Sequence, residues 1–358
     1  MIDAKTLNIE WINEVSEKNR KADKILIEKV IRAFFLLEGL LKVDLDFVFK
    51  GGSALMLIMD SLKRLSIDID ILLYREPENL ETLFQEIISS QHFTRFELQH
   101  RSKESGIQKA HYKFFYNPVH KTKSTVDYVL LDILFEKPSY QTVIELPIKS
   151  KFVISKNEEF SVKLPSKNDI LGDKLTAFAP NTTGIPYFKK DKSMSMEIIK
   201  QLYDIASLVD IADNMNILSE TFKTLSKTEL GYRKKDNMNY KDVIEDVIQT
   251  SLCITSRGAA GKGDFNELQA GIQRVSRFIF SEPFHIEKAI PMASKAAYIA
   301  NLIKYNSETI DTYNNPSQIK DWIIISPVWP RLNKLKKSNP EAFYYWYKIH
   351  QLIEKNNL

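Results

Sequence analysis

The chain has 358 residues, of which 44% are hydrophobic and 27% are charged, with 11 glycines and 13 prolines. This composition excludes a disordered or collagen-like chain, and the length favours two domains over one. The single cysteine excludes an internal disulfide and a cysteine-built zinc site, and apolar runs far shorter than the ~20 residues of a membrane span predict a cytoplasmic protein without membrane contact. Fifty Lys and Arg against 46 Asp and Glu leave a net charge of +4, which permits a nucleic-acid partner without requiring one.

The hydrophobic pattern changes near residue 165. An opening helical stretch over 11–41 precedes short β-rich runs that alternate with turns, which are DFVFK, IDIDILLY, HYKFFYNP, TVDYVLLDILFE and QTVIELPI. After residue 165, apolar residues recur at helical spacing over 167–179, 194–213, 215–230, 239–256, 264–281, 284–304 and 340–355. We therefore predict an α+β domain over 1–165 and an all-helical domain over 166–358.

The run 47–55 predicts a strand, a tight turn and a helix that continues to about Leu62. Gly51 and Gly52 allow a positive φ and a close backbone approach to a ligand, and the N–H groups at a helix N-terminus favour a phosphate. Ser53 adds a hydroxyl group to this arrangement. The same residues also suit an ordinary turn with Ser53 as the N-cap, so this motif alone leaves both interpretations open.

The next strand alternates carboxylates with isoleucines, in the order Ile67, Asp68, Ile69, Asp70 and Ile71. Side chains two residues apart in a strand share a face, so Asp68 and Asp70 lie on the same side. Two neighbouring carboxylates repel each other, whereas a divalent cation would neutralise them. Mg²⁺ suits a few carboxylate oxygens combined with substrate phosphates. The alternative interpretation is a solvent-exposed edge strand.

Asp132 lies in the apolar run 128–135, which predicts a buried central strand. An unpaired carboxylate there would cost several kcal/mol, so Asp132 requires a partner. The simplest partner is a metal already held by Asp68 and Asp70 on a neighbouring strand, since three carboxylates can hold two Mg²⁺ ions about 3.5–4 Å apart. The alternative is an aspartate at a strand end that bonds to Lys or Arg.

Two helices of the second domain carry further candidate residues. On a helical wheel of 169–179, Lys174 falls within the apolar arc, so its amine either extends past its neighbours to solvent or meets a phosphate at the domain interface. On the wheel of 198–209, Lys200 and Asp204 share the polar face, which by itself predicts a solvated ion pair.

The loop 180–193 is long and basic, with Lys189, Lys190 and Lys192 close together. Three interpretations suit such a loop: it closes over a nucleotide, it binds RNA phosphates, or it is simply solvated. The aromatic stretch 343–347 either stacks on bases or packs in the core, and its helical spacing favours packing.

Five motifs, taken in order, resemble the series of the AbiEii/AbiGii (MenT-like) nucleotidyltransferase toxins over roughly 45–210. The motifs are Lys50-Gly51-Gly52-Ser53, Arg64-Leu65-Ser66-Ile67-Asp68-Ile69-Asp70, Leu131-Asp132-Ile133, Gly172-Asp173-Lys174-Leu175-Thr176-Ala177 and Lys200-Gln201-Leu202-Tyr203-Asp204. Two positions depart from the family pattern, since Gln201 stands where an acid is common and Ile198 where an arginine is common. The spacer 54–67 between the first two motifs is also long.

The resemblance implies a polymerase-β-like nucleotidyltransferase domain, with a mixed sheet and helices, followed by a helical domain. It implies that Asp68 and Asp70 bind Mg²⁺, that Lys174 lies near the phosphates and that Asp204 is a further essential acid. The nucleotide-binding residues that we predict are Gly51, Gly52, Ser53, Arg64, Ser66 and Lys174. The predicted catalytic residues are Asp68, Asp70, Asp132, Lys174 and Asp204, of which the first three form the metal site.

These observations predict an enzyme, an Mg²⁺-dependent nucleotidyltransferase in which Mn²⁺ can replace Mg²⁺. An acceptor hydroxyl would attack the α-phosphate of an NTP and release pyrophosphate. The resemblance implies an RNA acceptor, such as the 3′ end of a tRNA, and a role as the toxin of a toxin–antitoxin or phage-defence pair with a cognate antitoxin. The alternative hypotheses are transfer to a protein or small molecule, and a catalytically degenerate nucleotide-binding regulator, which Gln201 and Ile198 suggest.

Overall fold

The computed structural model describes residues 1–59, 64–104, 107–120, 125–156, 160–280, 282–325 and 329–356. Contacts between Cα atoms divide the chain into two compact units. The first contains Met1–Ser166 with Arg277–Pro283, and the second contains Lys167–Ser276 with Phe284–Leu358. The short segment belongs to the first unit because Leu65 N–H donates to Phe278 O at 2.8 Å and Arg64 forms a β-bridge with Ile279.

The opening helical stretch, predicted as one segment, is two helices. They are α1 (Ile9–Lys18) and α2 (Lys24–Lys42), and a 3-10 turn at Ala4–Leu7 precedes them. Arg20 and Lys21 adopt φ values of 56° and 57°, which a helix excludes. Asp23 then begins α2 as its N-cap, because its side chain accepts from the N–H groups of Ile25 and Leu26.

The first unit is built on a five-stranded mixed sheet. The strands are β1 (Val48–Lys50), β2 (Ile69–Leu73), β3 (Arg95–Glu104), β4 (Ile107–Tyr116) and β5 (Asp127–Phe135). Their order is β1-β2-β5-β4-β3, with β2 and β5 parallel and the other neighbours antiparallel. The unit also contains α3 (Gly51–Ile58), α4 (Leu80–Ser90) and a two-stranded sheet of β6 (Val143–Pro147) and β7 (Ser161–Pro165). The predicted α+β class is confirmed.

The sequence pattern does not predict β3. Its sequence, RFELQHRSKE, is mostly polar and has no apolar run. The strand lies at the end of the sheet, where β4 supplies its backbone pairing, and an edge position tolerates charged side chains. Tertiary pairing therefore decides this strand rather than local composition.

Over the residues that the structure describes, the second unit is helical apart from one small hairpin, whereas the sequence predicts an all-helical domain. Its longer helices are α5 (Lys167–Ala177), α6 (Ser195–Val209), α7 (Met215–Tyr232), α8 (Tyr240–Thr255), α9 (Phe265–Val275), α10 (Ile286–Lys304) and α12 (Pro340–Asn356). Shorter turns of this unit are Pro316–Ile319, Pro330–Lys334 and α11 (Leu335–Ser338), and the 3-10 turn Ser276–Phe278 lies where the chain passes back to the first unit. A small antiparallel hairpin of β8 (Phe188–Lys189) and β9 (Lys192–Ser193) interrupts the helices within the predicted basic loop.

The burial of the aromatic stretch in α12 decides between stacking on bases and packing in the core. Phe343, Tyr345 and Trp346 are almost completely buried, so this stretch packs in the core, as its spacing favours. Cys253 is also buried and unpaired, as expected of a small apolar side chain. No helix in the described part of the chain is long and apolar enough to cross a membrane.

Candidate active site

The turn between β1 and α3 forms the first part of the site. Lys50 is the N-cap of α3, and Gly51 begins the helix with a φ of +81°, in the left-handed region that strains any side chain. A methyl group on Gly51 would overlap the carboxylate oxygen Oδ2 of Asp70. The register explains this closeness, because β1 and β2 pair Lys50 with Asp70. Glycine at position 51 thus lets the turn and the aspartate touch.

Gly52 brings the same turn against residues that precede β2. A Cβ atom on Gly52 would lie 2.6 Å from Arg64 Nη2 and 2.6 Å from Ser66 Oγ. Arg64 is only 3% exposed, and its Nη1 donates to Leu65 O at 3.1 Å. Two motifs that a long spacer separates in sequence are therefore in contact, and the missing side chain of Gly52 makes that contact possible.

Ser53 is the third residue of α3, so its interpretation as the N-cap is wrong. Its hydroxyl donates to Asp68 O at 2.6 Å, and the residue is almost completely buried. Ser53 therefore fastens the glycine turn to the segment that carries the aspartates. The helix ends at Ile58, and residues 60–62, over which the sequence predicts its continuation, lie outside the described residues.

The two aspartates of the second motif lie at the start of β2. Asp68 immediately precedes the strand, and Asp70 is its second residue. Ile69 and Ile71 are buried while both aspartates are partly exposed, which agrees with the predicted alternation. Because β2 lies between β1 and β5, the interpretation as an edge strand is wrong.

Asp132 lies inside β5 and pairs in register with Asp70 on the parallel strand β2. Paired residues on adjacent strands project to the same face, with their backbones about 4.8 Å apart. The side chain of Asp132 is 33% exposed, and His111 Nδ1 on β4 donates to its Oδ1 at 2.6 Å. A carboxylate oxygen accepts hydrogen bonds, so the imidazole N–H is the donor. The alternative interpretation, in which Asp132 lies at the end of a strand and bonds to Lys or Arg, is wrong, because Asp132 lies inside β5 and bonds to His111.

His111 is a site residue that the sequence does not reveal. Its spacing to the other histidines matches no metal-binding pattern, and 21 residues separate it from Asp132. The antiparallel register of β4 and β5 pairs the two residues directly. The sequence gives only a weak indication of this role, because His111 is simply the first residue of the predicted strand that precedes the strand of Asp132.

The carboxylates of Asp68, Asp70 and Asp132 provide the oxygen ligands that Mg²⁺ and Mn²⁺ prefer. Within the described ranges, no three His, Cys, Asp or Glu side chains are grouped closely enough to hold a metal ion by themselves. Mg²⁺ usually combines one or two carboxylates with substrate phosphates and water. This donor set therefore fits a metal that binds together with a nucleoside triphosphate.

The remaining candidates lie in the second unit, with Lys174 on α5 and Asp204 on α6. Lys174 Nζ is 3.0 Å from Asp204 Oδ2 and donates to Gln201 Oε1 at 2.9 Å. The side chain of Asp204 is fully buried, and that of Lys174 is 10% exposed. Gln201 Nε2 donates to Glu197 O at 3.3 Å, which orients the amide with its oxygen toward the amine. A neutral acceptor thus occupies the position where the family commonly has an acid.

Burial corrects two predictions about these helices. The solvated pair of Lys200 with Asp204 is wrong because Asp204 is buried, and Lys200 forms an ion pair with Glu197 at 3.0 Å. Lys174 does not extend to solvent, because Asp204 and Gln201 hold its amine. Ile198, the other departure from the family pattern, is fully buried and belongs to the apolar core of the unit.

The predicted site residues thus fall into two groups, one in each unit. In the first unit, the glycine turn contacts Asp70, Arg64 and Ser66, Ser53 bonds to the backbone of Asp68, and Asp70 pairs in register with Asp132. The second unit pairs Lys174 with Asp204.

Several solved structures are similar to the chain, among them the following three. A candidate nucleotidyltransferase from H. pylori is 14% identical, with a TM-score of 0.44 over 80% of this chain and 97% of the other. JHP933 from Helicobacter pylori is 14% identical, with a TM-score of 0.42 over 84% of this chain and 94% of the other. An antigenic nucleotidyltransferase-like protein from Paracoccidioides brasiliensis is 19% identical, with a TM-score of 0.32 over 58% of this chain and 89% of the other.

The family assignment rests on sequence. The model of the family described as "Nucleotidyl transferase AbiEii toxin, Type IV TA system" matches residues 36–290, well over half of the chain and all five motifs. No curated protein matches the chain in sequence. A toxin of this description implies a nucleotide substrate and an antitoxin partner. The predicted resemblance is therefore confirmed, and the chain belongs to the AbiEii family of nucleotidyltransferase toxins.

Proposed function

We propose that this nucleotidyltransferase moves a nucleoside monophosphate from an NTP to a hydroxyl group of RNA, such as the 3′ end of a tRNA, in a reaction that requires Mg²⁺. The observation that carries the proposal is the in-register pairing of Asp70 with Asp132, beside the glycine turn that touches Asp70. Paired carboxylates next to a helix N-terminus suit a complex of a divalent cation with a triphosphate.

The nucleotide would bind at the start of α3. Gly51, Gly52 and Ser53 form its first turn, where backbone N–H groups and the positive end of the helix dipole favour the β and γ phosphates. Arg64 and Ser66 lie against Gly52, so they would add a positive charge and a hydroxyl group beside the same phosphates. The burial of Arg64 strengthens this attraction, because little water screens its charge.

Asp68, Asp70 and Asp132 would hold Mg²⁺, or Mn²⁺ in its place, and the bound ion would supply charge neutralisation at the triphosphate and activation of the acceptor hydroxyl. The acceptor oxygen forms a bond to the α-phosphorus as the bond from that phosphorus to the pyrophosphate oxygen breaks. Pyrophosphate leaves with the electron pair of the broken bond. The hydroxyl proton passes to a carboxylate of the site or to water.

By the resemblance, Lys174 would lie near the phosphates. Its amine is held in one position by Asp204 and Gln201, and a fixed positive charge stabilises developing negative charge without a cost of reorganisation. Asp204, which is fully buried, would then act through Lys174 as a positioning residue.

The resemblance implies an RNA acceptor, and the net charge of +4 permits a polyanionic partner without requiring one. Modification of RNA would also account for a toxin of a toxin–antitoxin or phage-defence pair. Transfer to a protein or to a small molecule uses the same chemistry at the α-phosphorus, so the experiment must distinguish the acceptors.

The test incubates purified protein with Mg²⁺, total tRNA and each α-labelled NTP in turn. The matched control is the isosteric double variant Asp68→Asn/Asp70→Asn, which removes two negative charges and leaves the side-chain volume unchanged. We expect label in tRNA with at least one NTP and none with the control. Omission of Mg²⁺ should abolish the signal, and Mn²⁺ should restore it.

Three results would contradict parts of this proposal. Label on the protein, or pyrophosphate release without labelled RNA, would move the acceptor to a protein or a small molecule. Full activity of the double variant would remove Asp68 and Asp70 from the site. Undiminished transfer in the presence of a chelator would exclude the requirement for Mg²⁺.

A further inference from the structure

The hairpin of β8 and β9 presents three lysines and an aromatic ring to solvent. Its strands join through Lys190 and Asp191, and all residues over 188–192 are exposed. Phe188 keeps 49% of its surface exposed, although a phenylalanine normally packs inside. The hairpin has one negative side chain, Asp191, and three positive ones, Lys189, Lys190 and Lys192. Its local charge is therefore about +2.

Two features destabilise this hairpin. The register places Lys189 directly opposite Lys192, and like charges facing each other across two strands are destabilising. Lys190 adopts a φ of 54°, a conformation for which two-residue hairpin turns normally use Gly, Asn or Asp. A bound anion between the two strands would relieve the first of these costs.

The base of the hairpin is nevertheless held firmly. The Ser193 hydroxyl donates to Glu267 Oε2 at 2.5 Å and accepts from Arg274 Nη1 at 2.6 Å. Arg274 Nη1 also donates to Ser195 Oγ at 3.1 Å, and Met194 N–H donates to Tyr187 O at 2.8 Å. These bonds fix the ends of both strands against α9. A surface that is already ordered loses little conformational entropy when a ligand binds.

We propose that this hairpin binds the backbone of a single-stranded RNA that passes around its edge, with a phosphate between Lys189 and Lys192 on one face and a base stacked on Phe188 on the opposite face. The inference rests on the proposed function, since it identifies where the RNA acceptor binds the second unit. Lysines supply the attraction to phosphates, and an aromatic ring stacks on any unpaired base, which together typify single-strand binding. A base-paired RNA keeps its base faces stacked internally and offers none to Phe188.

The test measures binding of a 5′-fluorescein-labelled, unstructured RNA of about ten nucleotides by fluorescence anisotropy over a series of KCl concentrations. The charge variant carries Lys189→Gln, Lys190→Gln and Lys192→Gln. The matched control removes the same number of charges from exposed lysines elsewhere in the unit, through Lys234→Gln, Lys241→Gln and Lys262→Gln. A third variant, Phe188→Ala, tests stacking.

We expect the charge variant to bind at least about tenfold more weakly at physiological salt. Its slope of log affinity against log salt should shrink by at least about 0.7, because the variant loses the phosphate held between Lys189 and Lys192. The control should keep the slope of the wild type. Phe188→Ala should weaken binding of the single strand about tenfold and leave binding of a duplex of equal length unchanged. The charge variant should fold normally, since it removes the repulsion of Lys189 and Lys192.

Equal affinities and slopes for the wild type and the charge variant would overturn the inference, and so would equal losses in the charge variant and its control. Such results would leave the proposed function standing if the wild type still labels tRNA. Absence of RNA binding by the wild type, together with label on another acceptor, would overturn both. Unchanged binding by Phe188→Ala would remove the stacking part of the inference.

Discussion

Replacing Asp204 by Asn is expected to destabilise the second unit strongly, because it leaves the Lys174 ammonium inside the protein without its carboxylate. The two charges are 3.0 Å apart, with side chains 0% and 10% exposed. At this distance and an effective dielectric constant of about 20, their attraction is roughly 5.5 kcal/mol before the cost of burying them. The net effect of breaking a buried pair by removing one partner is about 3–5 kcal/mol.

The structure predicts an order among three variants. The loss of stability in Asp204→Asn should lie near the lower end of the range of about 3–5 kcal/mol, because Gln201 still accepts a hydrogen bond from Lys174. The loss of stability in Lys174→Met should lie near the upper end of the same range, because this change leaves the fully buried carboxylate of Asp204 without its lysine. The double variant should be less destabilised than the sum of the two single changes by at least about 2 kcal/mol, since it leaves neither charge behind.

Chemical denaturation followed by tryptophan fluorescence measures these differences. Three of the four tryptophans lie in the second unit, so the signal reports mainly on that unit: Trp322, Trp329 and Trp346. The matched control is Glu197→Gln, which breaks the partly exposed pair with Lys200 on the same helix and should cost no more than about 1 kcal/mol. Midpoint and slope together give the free energy of unfolding.

Two results would refute this reasoning. One is additivity of Lys174→Met and Asp204→Asn within about 0.5 kcal/mol, which would mean that the two side chains do not stabilise each other. The other is an Asp204→Asn variant as stable as the wild type. In either case a loss of activity in Asp204→Asn would indicate a direct contact of Asp204 with the substrate.

Two further predictions concern the first unit. Gly51→Ala should lower nucleotidyl transfer about 100-fold, because the methyl group displaces the Asp70 carboxylate; Gly231→Ala, whose added Cβ meets open space, should leave initial rates unchanged. His111→Leu should weaken Mn²⁺ binding, measured by electron paramagnetic resonance, about 10–100-fold because Asp132 loses its donor. His111→Asn keeps an N–H near the position of Nδ1 and should restore most of the affinity. Wild-type rates in Gly51→Ala, or equal Mn²⁺ affinity in wild type and His111→Leu, would contradict these expectations.

The order of the motifs and the change from short strands to long helices are readable from the sequence. Periodicity and residue type are local properties, so they identify β1, β2, β4 and β5, the helices of the second unit and the alternation of Asp68 with Ile69. The motif series also identifies the AbiEii family before any coordinate is known. Local signals fail at β3, whose polar sequence forms a strand only because β4 pairs with it.

Only the tertiary structure decides which side chains meet. The register of β2, β4 and β5 aligns Asp70, Asp132 and His111, and a shift of one residue would send each to the opposite face. Helix packing buries Asp204 against Lys174 in place of the solvated pair that the wheel predicts. The segment Arg277–Pro283 joins the first unit through backbone bonds that span more than 200 residues. These contacts depend on long-range pairing and burial, for which the sequence of a single element contains no signal.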